Sequence, residues 1–149
     1  AKQVTNIILD NLNGAGIYGV EFFVRESDLI FSELSPRPHD TGMVTLLSQN
    51  LNEFELHLRA LLDLPIPEIN LISPAATRVI LSEDEYQKFV YYGIYEALKI
   101  QNSKILIFGK PYAKKGRRMG VALATGIDIE QARLRADECA SNIKICFSD

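Results

Sequence analysis

Two glutamates twelve positions apart, Glu21 and Glu33, are the residues whose types and spacing point most directly to chemistry. Each lies in a run of strand-forming residues, and the polar stretch between the runs is typical of a turn, so the sequence predicts an antiparallel hairpin. With a three-residue loop over residues 26–28, Arg25 pairs with Leu29 and the two glutamates face each other, with Cβ atoms about 5 Å apart. Paired carboxylates repel each other, but with a divalent cation they become an oxygen clamp.

The hairpin also has a plainer interpretation. A slip of one residue in the loop would place the glutamates on opposite faces, and acidic side chains on a solvent-facing hairpin are ordinary. Two neighbours favour the metal site. Ser35 lies on the same side as Glu33 by strand alternation and offers another oxygen, and Arg37 follows within reach of a phosphate.

A second cluster is the basic loop Lys110–Arg118, which has five cations in nine residues between two predicted strands. A charge run of this kind is most often a solvated turn. Adjacent guanidinium groups such as Arg117 and Arg118 nevertheless offer bidentate hydrogen bonds that match phosphate oxygens, and a lysine adds a point charge. The residues alone leave both interpretations open.

Histidine beside aspartate, at His39 and Asp40, suggests general-base chemistry. Adjacent residues seldom face each other, so we do not expect a catalytic dyad. Asp40 can cap the following helix while its other oxygen reaches a substrate amine, and His39 is assigned to loop packing or to support behind the site. His57 has no partner that the sequence reveals.

The elements that must position these groups follow from helical spacing, capping signals and Gly or Pro breaks. In the first part we expect a helix to Leu12, the hairpin, a short helix over Met43–Leu47 capped by Asp40 or Thr41, and a helix that begins with the capping box Asn52 to Glu55. From residue 73 we expect, in order, strand Thr77–Leu81, an ambiguous run Phe89–Tyr92, helix Ile94–Ile100, strands Lys104–Phe108 and Gly120–Thr125, a helix capped by Asp128, and strand Ile143–Phe147. This alternation predicts an α+β (α/β) fold.

Composition excludes several classes of protein. With 47% apolar and 23% charged residues, the 149-residue chain is globular, and its net charge of −3 argues against general nucleic-acid binding. No apolar stretch approaches membrane-spanning length. Cys139 and Cys146 lack metal-ligand spacing, so we expect them to pack in the interior of a protein from a reducing compartment, the cytoplasm.

Several motifs then support a resemblance. The stretch from Gly14 through Glu21 and the string Ser-Pro-Arg-Pro-His-Asp-Thr-Gly at 35–42 resemble the end of an ATP-grasp domain. More narrowly, they resemble formate-dependent phosphoribosylglycinamide formyltransferases of purine synthesis. Further matches run downstream in order: Pro74-Ala75-Ala76, Phe108-Gly109-Lys110-Pro111, and Arg117-Arg118-Met119-Gly120-Val121-Ala122-Leu123-Ala124-Thr125.

The resemblance implies two regions, with residues 1–72 as the C-terminal portion of an ATP-grasp domain and residues 73–149 as a small α/β unit of the same enzyme. It implies ATP as co-substrate and formate and glycinamide ribonucleotide as substrates, with formyl phosphate as intermediate and a homodimer as the full-length enzyme. By the same resemblance Glu21 and Glu33 hold Mg²⁺ and Arg37 steadies the transferred group. Substrate-binding roles fall on Asp40, at the amine, and on Lys110, Arg117 and Arg118, at the 5-phosphate. Lys114 and Lys115 match no role.

Two alternatives stay open. A related synthetase that carboxylates an aminoimidazole ribonucleotide with bicarbonate shares the acidic hairpin, and a phosphate-binding or dimerisation module would have no catalysis of its own. Many ATP-grasp enzymes also carry Asn where this chain has Ser35, although serine fits the formate-dependent branch. Because such enzymes are far longer and the chain opens without methionine, we expect a C-terminal fragment that is inactive alone, with a natural short paralogue as the other explanation.

Overall fold

The computed structural model describes residues 1–148. They fold as two compact units, Ala1–Asn70 and the chain from Leu71 onward. The first unit contains, in chain order, α1 (Lys2–Asp10), β1 (Gly19–Arg25), β2 (Asp28–Ser35), a 3₁₀ turn (Asp40–Gly42), α2 (Thr45–Ser48) and α3 (Glu53–Leu61). Its buried apolar residues are Met43, Leu51 and Leu56.

The acidic hairpin is present. Strands β1 and β2 pair as antiparallel, and Glu21 is the partner of Glu33, as predicted. The hairpin therefore presents both glutamates at one position of the strand pair, on one face.

The route to this register differs from the prediction. Arg25 pairs with Asp28 rather than with Leu29, so the loop has two residues instead of three. The residue saved in the loop appears instead as a β-bulge, in which Ser32 has no partner across the ladder. The loop is one residue shorter than predicted, and the bulge adds one residue to β2. Because these two changes cancel, the glutamates still face each other.

The start of α3 confirms the predicted capping box. The side-chain oxygen of Asn52 accepts hydrogen bonds from the backbone N–H groups of Phe54 and Glu55, and the Glu55 carboxylate accepts one from the Asn52 N–H. These bonds satisfy backbone donors that the first turn of a helix leaves without partners.

The predicted cap at Asp40 or Thr41 is wrong. Helix α2 begins after Val44 without a side-chain cap. The cap lies instead on the 3₁₀ turn, where the ring nitrogen of His39 accepts the Thr41 N–H. His39 itself has an extended backbone, with φ −130° and ψ 154°, and as the residue before the turn its ring reaches the Thr41 N–H.

The second unit contains β3 (Ala75–Leu81), β4 (Phe89–Tyr92), α4 (Ile94–Ala97), β5 (Ser103–Ile107), β6 (Arg118–Thr125), α5 (Ile129–Ser141) and β7 (Lys144–Phe147). The three-stranded antiparallel sheet has the order β3-β6-β5, and β4 pairs with β7. The ambiguous aromatic run is thus a strand. Asp128 caps α5 as predicted, by accepting the Gln131 N–H at 2.8 Å.

Helix α5 covers the sheet. It packs against β3 and β6 through Ala132, Ala136 and Cys139, which recur at helical spacing and are buried. On the sheet side, buried Ala76 of β3 and Ala124 of β6 pack with Ala132 and Ala136. Cys139 is buried, which confirms its predicted packing role, whereas Cys146 is only half-buried. The architecture confirms the predicted α+β class.

Candidate functional site

On the acidic face of the hairpin, each of the two glutamates contacts a neighbouring polar side chain. Ser35, which is 4% exposed, donates its hydroxyl proton to Glu33 Oε1 at 2.6 Å, so it does lie on the side of Glu33. Across the strand pair, Glu21 Oε1 lies 3.2 Å from His39 Nε2. Each glutamate is therefore oriented by a different neighbour. In both cases the contact is made with Oε1 of the carboxylate.

His39 contributes more than the sequence revealed. Its Nδ1 faces the N–H and the hydroxyl of Thr41, and the N–H can only donate. Nδ1 is therefore the acceptor, which places the proton of the neutral ring on Nε2, where it is donated to Glu21. Gly19 makes this approach possible, because a Cβ there would lie 3.0 Å from the Cβ of His39.

Glu53 is a site-forming residue that the sequence analysis missed. It is 4% exposed, and its Oε2 accepts the His39 backbone N–H at 2.9 Å. Burial raises the pKa of its carboxyl above the ordinary 4.5; Asp40 raises it further, whereas the His39 hydrogen bond lowers it. An acidic residue in the first turn of a helix is ordinarily a solvated complement to the helix dipole, so the sequence carried no signal of this role.

His57 has a partner, contrary to the sequence analysis. Its Nδ1 accepts the backbone N–H of Ile17 at 3.0 Å, over a separation of forty residues. The bond ties α3 to the chain entering β1. This histidine thus helps to hold the start of the hairpin.

Arg37 and Asp40 follow the acidic hairpin in the chain. The Arg37 guanidinium donates to the Pro38 carbonyl at 2.9 Å and its backbone N–H to the Ser35 carbonyl at 2.9 Å, while its side chain stays exposed. Asp40 is half-buried and opens the 3₁₀ turn.

The basic loop of the second unit is anchored at its base. Backbone hydrogen bonds join Ala113 to Tyr86 in both directions, and Ser82 binds both the Gly116 N–H and the Arg117 carbonyl. Positive φ, at 74°, suits glycine at position 116. The loop therefore reaches β6 along a defined path.

Side chains of this loop divide into two groups. Arg117 is half-buried, stacks 4.3 Å from the centroid of the Tyr112 ring, and donates to the Tyr112 carbonyl at 3.0 Å. These contacts hold its guanidinium plane. Lys110 is half-buried and Arg118 is exposed at the first position of β6, whereas Lys114 and Lys115 are exposed, in line with their expected solvation.

The hairpin supplies only part of the ligand set that a magnesium ion needs. No group of three or more Asp, Glu, His or Cys side chains capable of holding a metal exists among residues 1–148. Mg²⁺ is commonly bound through one or two carboxylates together with substrate phosphates, and Glu21 opposite Glu33 is such a two-carboxylate set. The residues therefore fit a magnesium ion that a nucleotide brings with it.

Comparison with known families places the chain. The family model described as ATP-grasp domain matches residues 1–54, and the one described as PurT, C-terminal matches residues 75–143. Residues 1–54 are thus similar to an ATP-grasp domain, and most of the second unit is similar to the PurT C-terminal type.

Curated relatives narrow the identification. Formate-dependent phosphoribosylglycinamide formyltransferases of Prochlorococcus marinus strains MIT 9312 and MIT 9515 are 66% and 68% identical to this chain, and that of Synechococcus sp. strain CC9902 is 53% identical. Each alignment covers 97% of this chain and 37% of the relative, so the chain spans little more than a third of their length. The sequence corresponds to the C-terminal part of these formyltransferases.

Solved structures agree on the fold. N5-carboxyaminoimidazole ribonucleotide synthetase from Thermotoga maritima superposes with a TM-score of 0.83 at 29% identity, over 98% of this chain and 41% of that one. Glycinamide-RNase-transformylase T from Mycobacterium tuberculosis gives 0.72 at 35% identity, over 95% and 40%. Among the described residues, no helix is long and apolar enough to cross a membrane.

Proposed function

We propose that this sequence forms part of an enzyme that uses ATP and formate to formylate glycinamide ribonucleotide through formyl phosphate. The observation that carries the proposal is identity of 66% over 97% of the chain with enzymes of that name. A polypeptide that carries this sequence and has the full length of these relatives is called the full-length enzyme. The 149-residue chain by itself is proposed to be inactive, because positioning of the nucleotide supplies most of phosphoryl-transfer catalysis.

Glu21 and Glu33 are proposed to hold Mg²⁺. The ion would neutralise charge on the ATP phosphates during transfer to formate. Ser35 and His39 orient the two carboxylates beforehand, each through Oε1, so less ordering remains when the nucleotide binds. Arg37 is proposed to steady the transferred group, because its exposed guanidinium follows β2 directly.

The ribonucleotide is proposed to bind at two ends. Asp40 would receive the amine, and Lys110, Arg117 and Arg118 would receive the 5-phosphate. Stacking of Arg117 on Tyr112 supports this role, since a guanidinium held in place loses little freedom when it binds phosphate. Two anchors fix the amine against a short-lived acyl phosphate.

We further propose a cytoplasmic homodimer for the full-length enzyme. The proposal includes no nucleic-acid or membrane partner.

The carboxylating synthetase is the second candidate. It is favoured by the TM-score of 0.83 with the Thermotoga maritima enzyme, against 0.72 for the Mycobacterium tuberculosis transformylase. We prefer formylation because sequence identity rises to 66–68% within the formyltransferases and is 29% for that synthetase.

Oxygen-labelled formate tests the proposed intermediate in the full-length enzyme. A formate oxygen attacks the γ-phosphorus and releases ADP; the amine then attacks the formyl carbon and releases phosphate that keeps this oxygen. Mass spectrometry of the inorganic phosphate should therefore find one formate-derived oxygen per turnover. Phosphate free of label during formylation would contradict the proposal.

A further inference from the structure

The buried carboxyl group of Glu53 lowers the stability of the fold. It is 4% exposed, and its Oε1 is buried without a hydrogen-bond partner among residues 1–148. Such an orphaned oxygen destabilises a fold and calls for a physical account. The surrounding pocket, about 200 Å³ in volume, is also lined by Tyr18, His39 and Thr41.

The chain around Glu53 is built to receive its carboxyl. A Cβ on Gly42 would collide with Oε2 and lie 2.6 Å from Cδ, so only glycine leaves room there. The Glu53 backbone N–H donates to Thr45 Oγ1 at 2.9 Å, and the Thr45 hydroxyl donates to the Gly42 carbonyl at 2.5 Å. The turn 39–42 and the start of α3 at Glu53 are therefore held together by hydrogen bonds and close contacts, and this contact region is called the joint.

The joint is connected to the acidic hairpin through His39. Oε2 of Glu53 accepts the His39 backbone N–H at 2.9 Å, and the ring of the same His39 donates from Nε2 to Glu21 at 3.2 Å. Asp40 follows His39 in the chain and opens the 3₁₀ turn. One buried carboxyl thus fixes the backbone on which both a candidate metal-binding and a candidate substrate-binding residue depend.

We propose that Glu53 is a positioning residue: its carboxyl holds the turn 39–42 and, through it, orients Glu21 for magnesium-nucleotide and Asp40 for the substrate amine. The inference rests on the proposed function for what the site binds, but not for the hydrogen-bonded joint itself. What positions the turn is the acceptor oxygen, and the negative charge of Glu53 is dispensable. That distinction makes the idea testable.

The test compares Glu53→Gln, which keeps an acceptor oxygen for the His39 N–H, with Glu53→Leu, which removes it. Glu55→Gln, on the same helix and exposed, is the matched control because glutamine also completes a capping box. In the 149-residue chain, two-bond ¹H–¹⁵N spectra of the imidazoles report the tautomer of each of the two histidines. His57, bound to Ile17, serves as an internal reference.

We expect the unsubstituted chain, Glu53→Gln and the control to show the Nε2–H tautomer at His39, and Glu53→Leu to show exchange between tautomers. In the full-length enzyme, Glu53→Leu should raise KM for the ribonucleotide and for magnesium-ATP about tenfold, while Glu53→Gln stays within about threefold. If Glu53→Leu does not fold, Gly42→Ala decides, because its methyl group displaces the carboxyl and should disturb His39 in the same way.

An unaltered His39 spectrum in Glu53→Leu or Gly42→Ala would overturn the positioning role. So would equal damage by glutamine and leucine, because charge and not the acceptor would then matter. The spectra need no turnover, so they decide this inference even if the full-length enzyme proves inactive with formate.

Discussion

At the scale of single residues, the site depends on carboxylates whose surroundings differ. Glu21 is 46% exposed and is oriented by His39, and Glu33 accepts the proton of buried Ser35. Glu53 lies in the interior and serves the backbone. The first two are available to a cation and a nucleotide, whereas the third supports the turn beside them.

Glu33→Gln tests the metal role. The amide keeps the size of the side chain and can still accept the Ser35 hydroxyl, but it loses the charge that is proposed to bind Mg²⁺. In the full-length enzyme the magnesium concentration for half-maximal ADP release should rise about tenfold or more. Glu26→Gln in the hairpin turn, also exposed, is the control. An unchanged magnesium requirement in Glu33→Gln would exclude the assigned role.

Arg117→Ala tests the phosphate role of the basic loop. Loss of a charge-assisted hydrogen bond costs about 1.5–3 kcal/mol, so KM for the ribonucleotide should rise about tenfold or more while KM for ATP changes little. Arg117→Lys should recover part of the loss, since lysine keeps the charge without the bidentate geometry. Exposed Lys114→Ala should behave as wild type. Equal effects on both substrates would mean that the loop is wrongly assigned.

Stability should depend on pH through Glu53. Because burial raises the pKa of its carboxyl in the folded chain above the ordinary 4.5, the contribution of Glu53 is fully present below that value and is lost as pH rises through the folded-state pKa. Glu53→Gln has no such group. Urea unfolding should therefore show the variant gaining stability relative to wild type from pH 4.5 to pH 7. A difference that does not vary with pH, or that shrinks over this range, would contradict the burial argument.

At the scale of elements, the hairpin shows how a correct residue pair can follow from an incorrect loop. Two-residue hairpin loops favour Gly or Asn where φ is positive, and residues 26–27 contain neither. Glu26 nevertheless adopts a φ of 53°. The sequence therefore predicted a longer loop, and the bulge at Ser32, which has no sequence signal of its own, restored the pairing.

The capping signals at Asn52 and Asp128 were read correctly, whereas the predicted cap at Asp40 or Thr41 was wrong and the distant contacts were missed. Asn52 and Asp128 cap helices through bonds that reach two or three residues, so the sequence contains the whole interaction. The partners of Glu53 and His57 lie fourteen and forty residues away. Nothing in their neighbours along the chain predicts those contacts, because only the folded chain brings the residues together.

Helix α3 should be sensitive to its cap. Asn52→Ala removes the acceptor for the Phe54 and Glu55 N–H groups and should lower the free energy of unfolding by about 1 kcal/mol. Asn52→Asp, which keeps an acceptor oxygen, should change it by only a few tenths of a kcal/mol. Urea denaturation of the 149-residue chain measures both. Equal stability of the alanine variant and wild type would show that the cap contributes nothing.

At the scale of the whole molecule, the chain folds as two compact units. The first presents the acidic hairpin, and the second presents the anchored basic loop. Family resemblance, and not composition or periodicity, assigned them to metal and phosphate. The chain spans 37% of the length of its curated relatives, so its activity is a property to be measured in the full-length enzyme.

The most direct test of the central claim is the co-substrate dependence of ADP release by the full-length enzyme. We predict that, with ATP, magnesium and glycinamide ribonucleotide, ADP forms when formate is added and not when bicarbonate is added. Each mole of ADP should accompany one mole of formylated ribonucleotide. ADP release that requires bicarbonate and an aminoimidazole ribonucleotide, with no response to formate, would contradict the account.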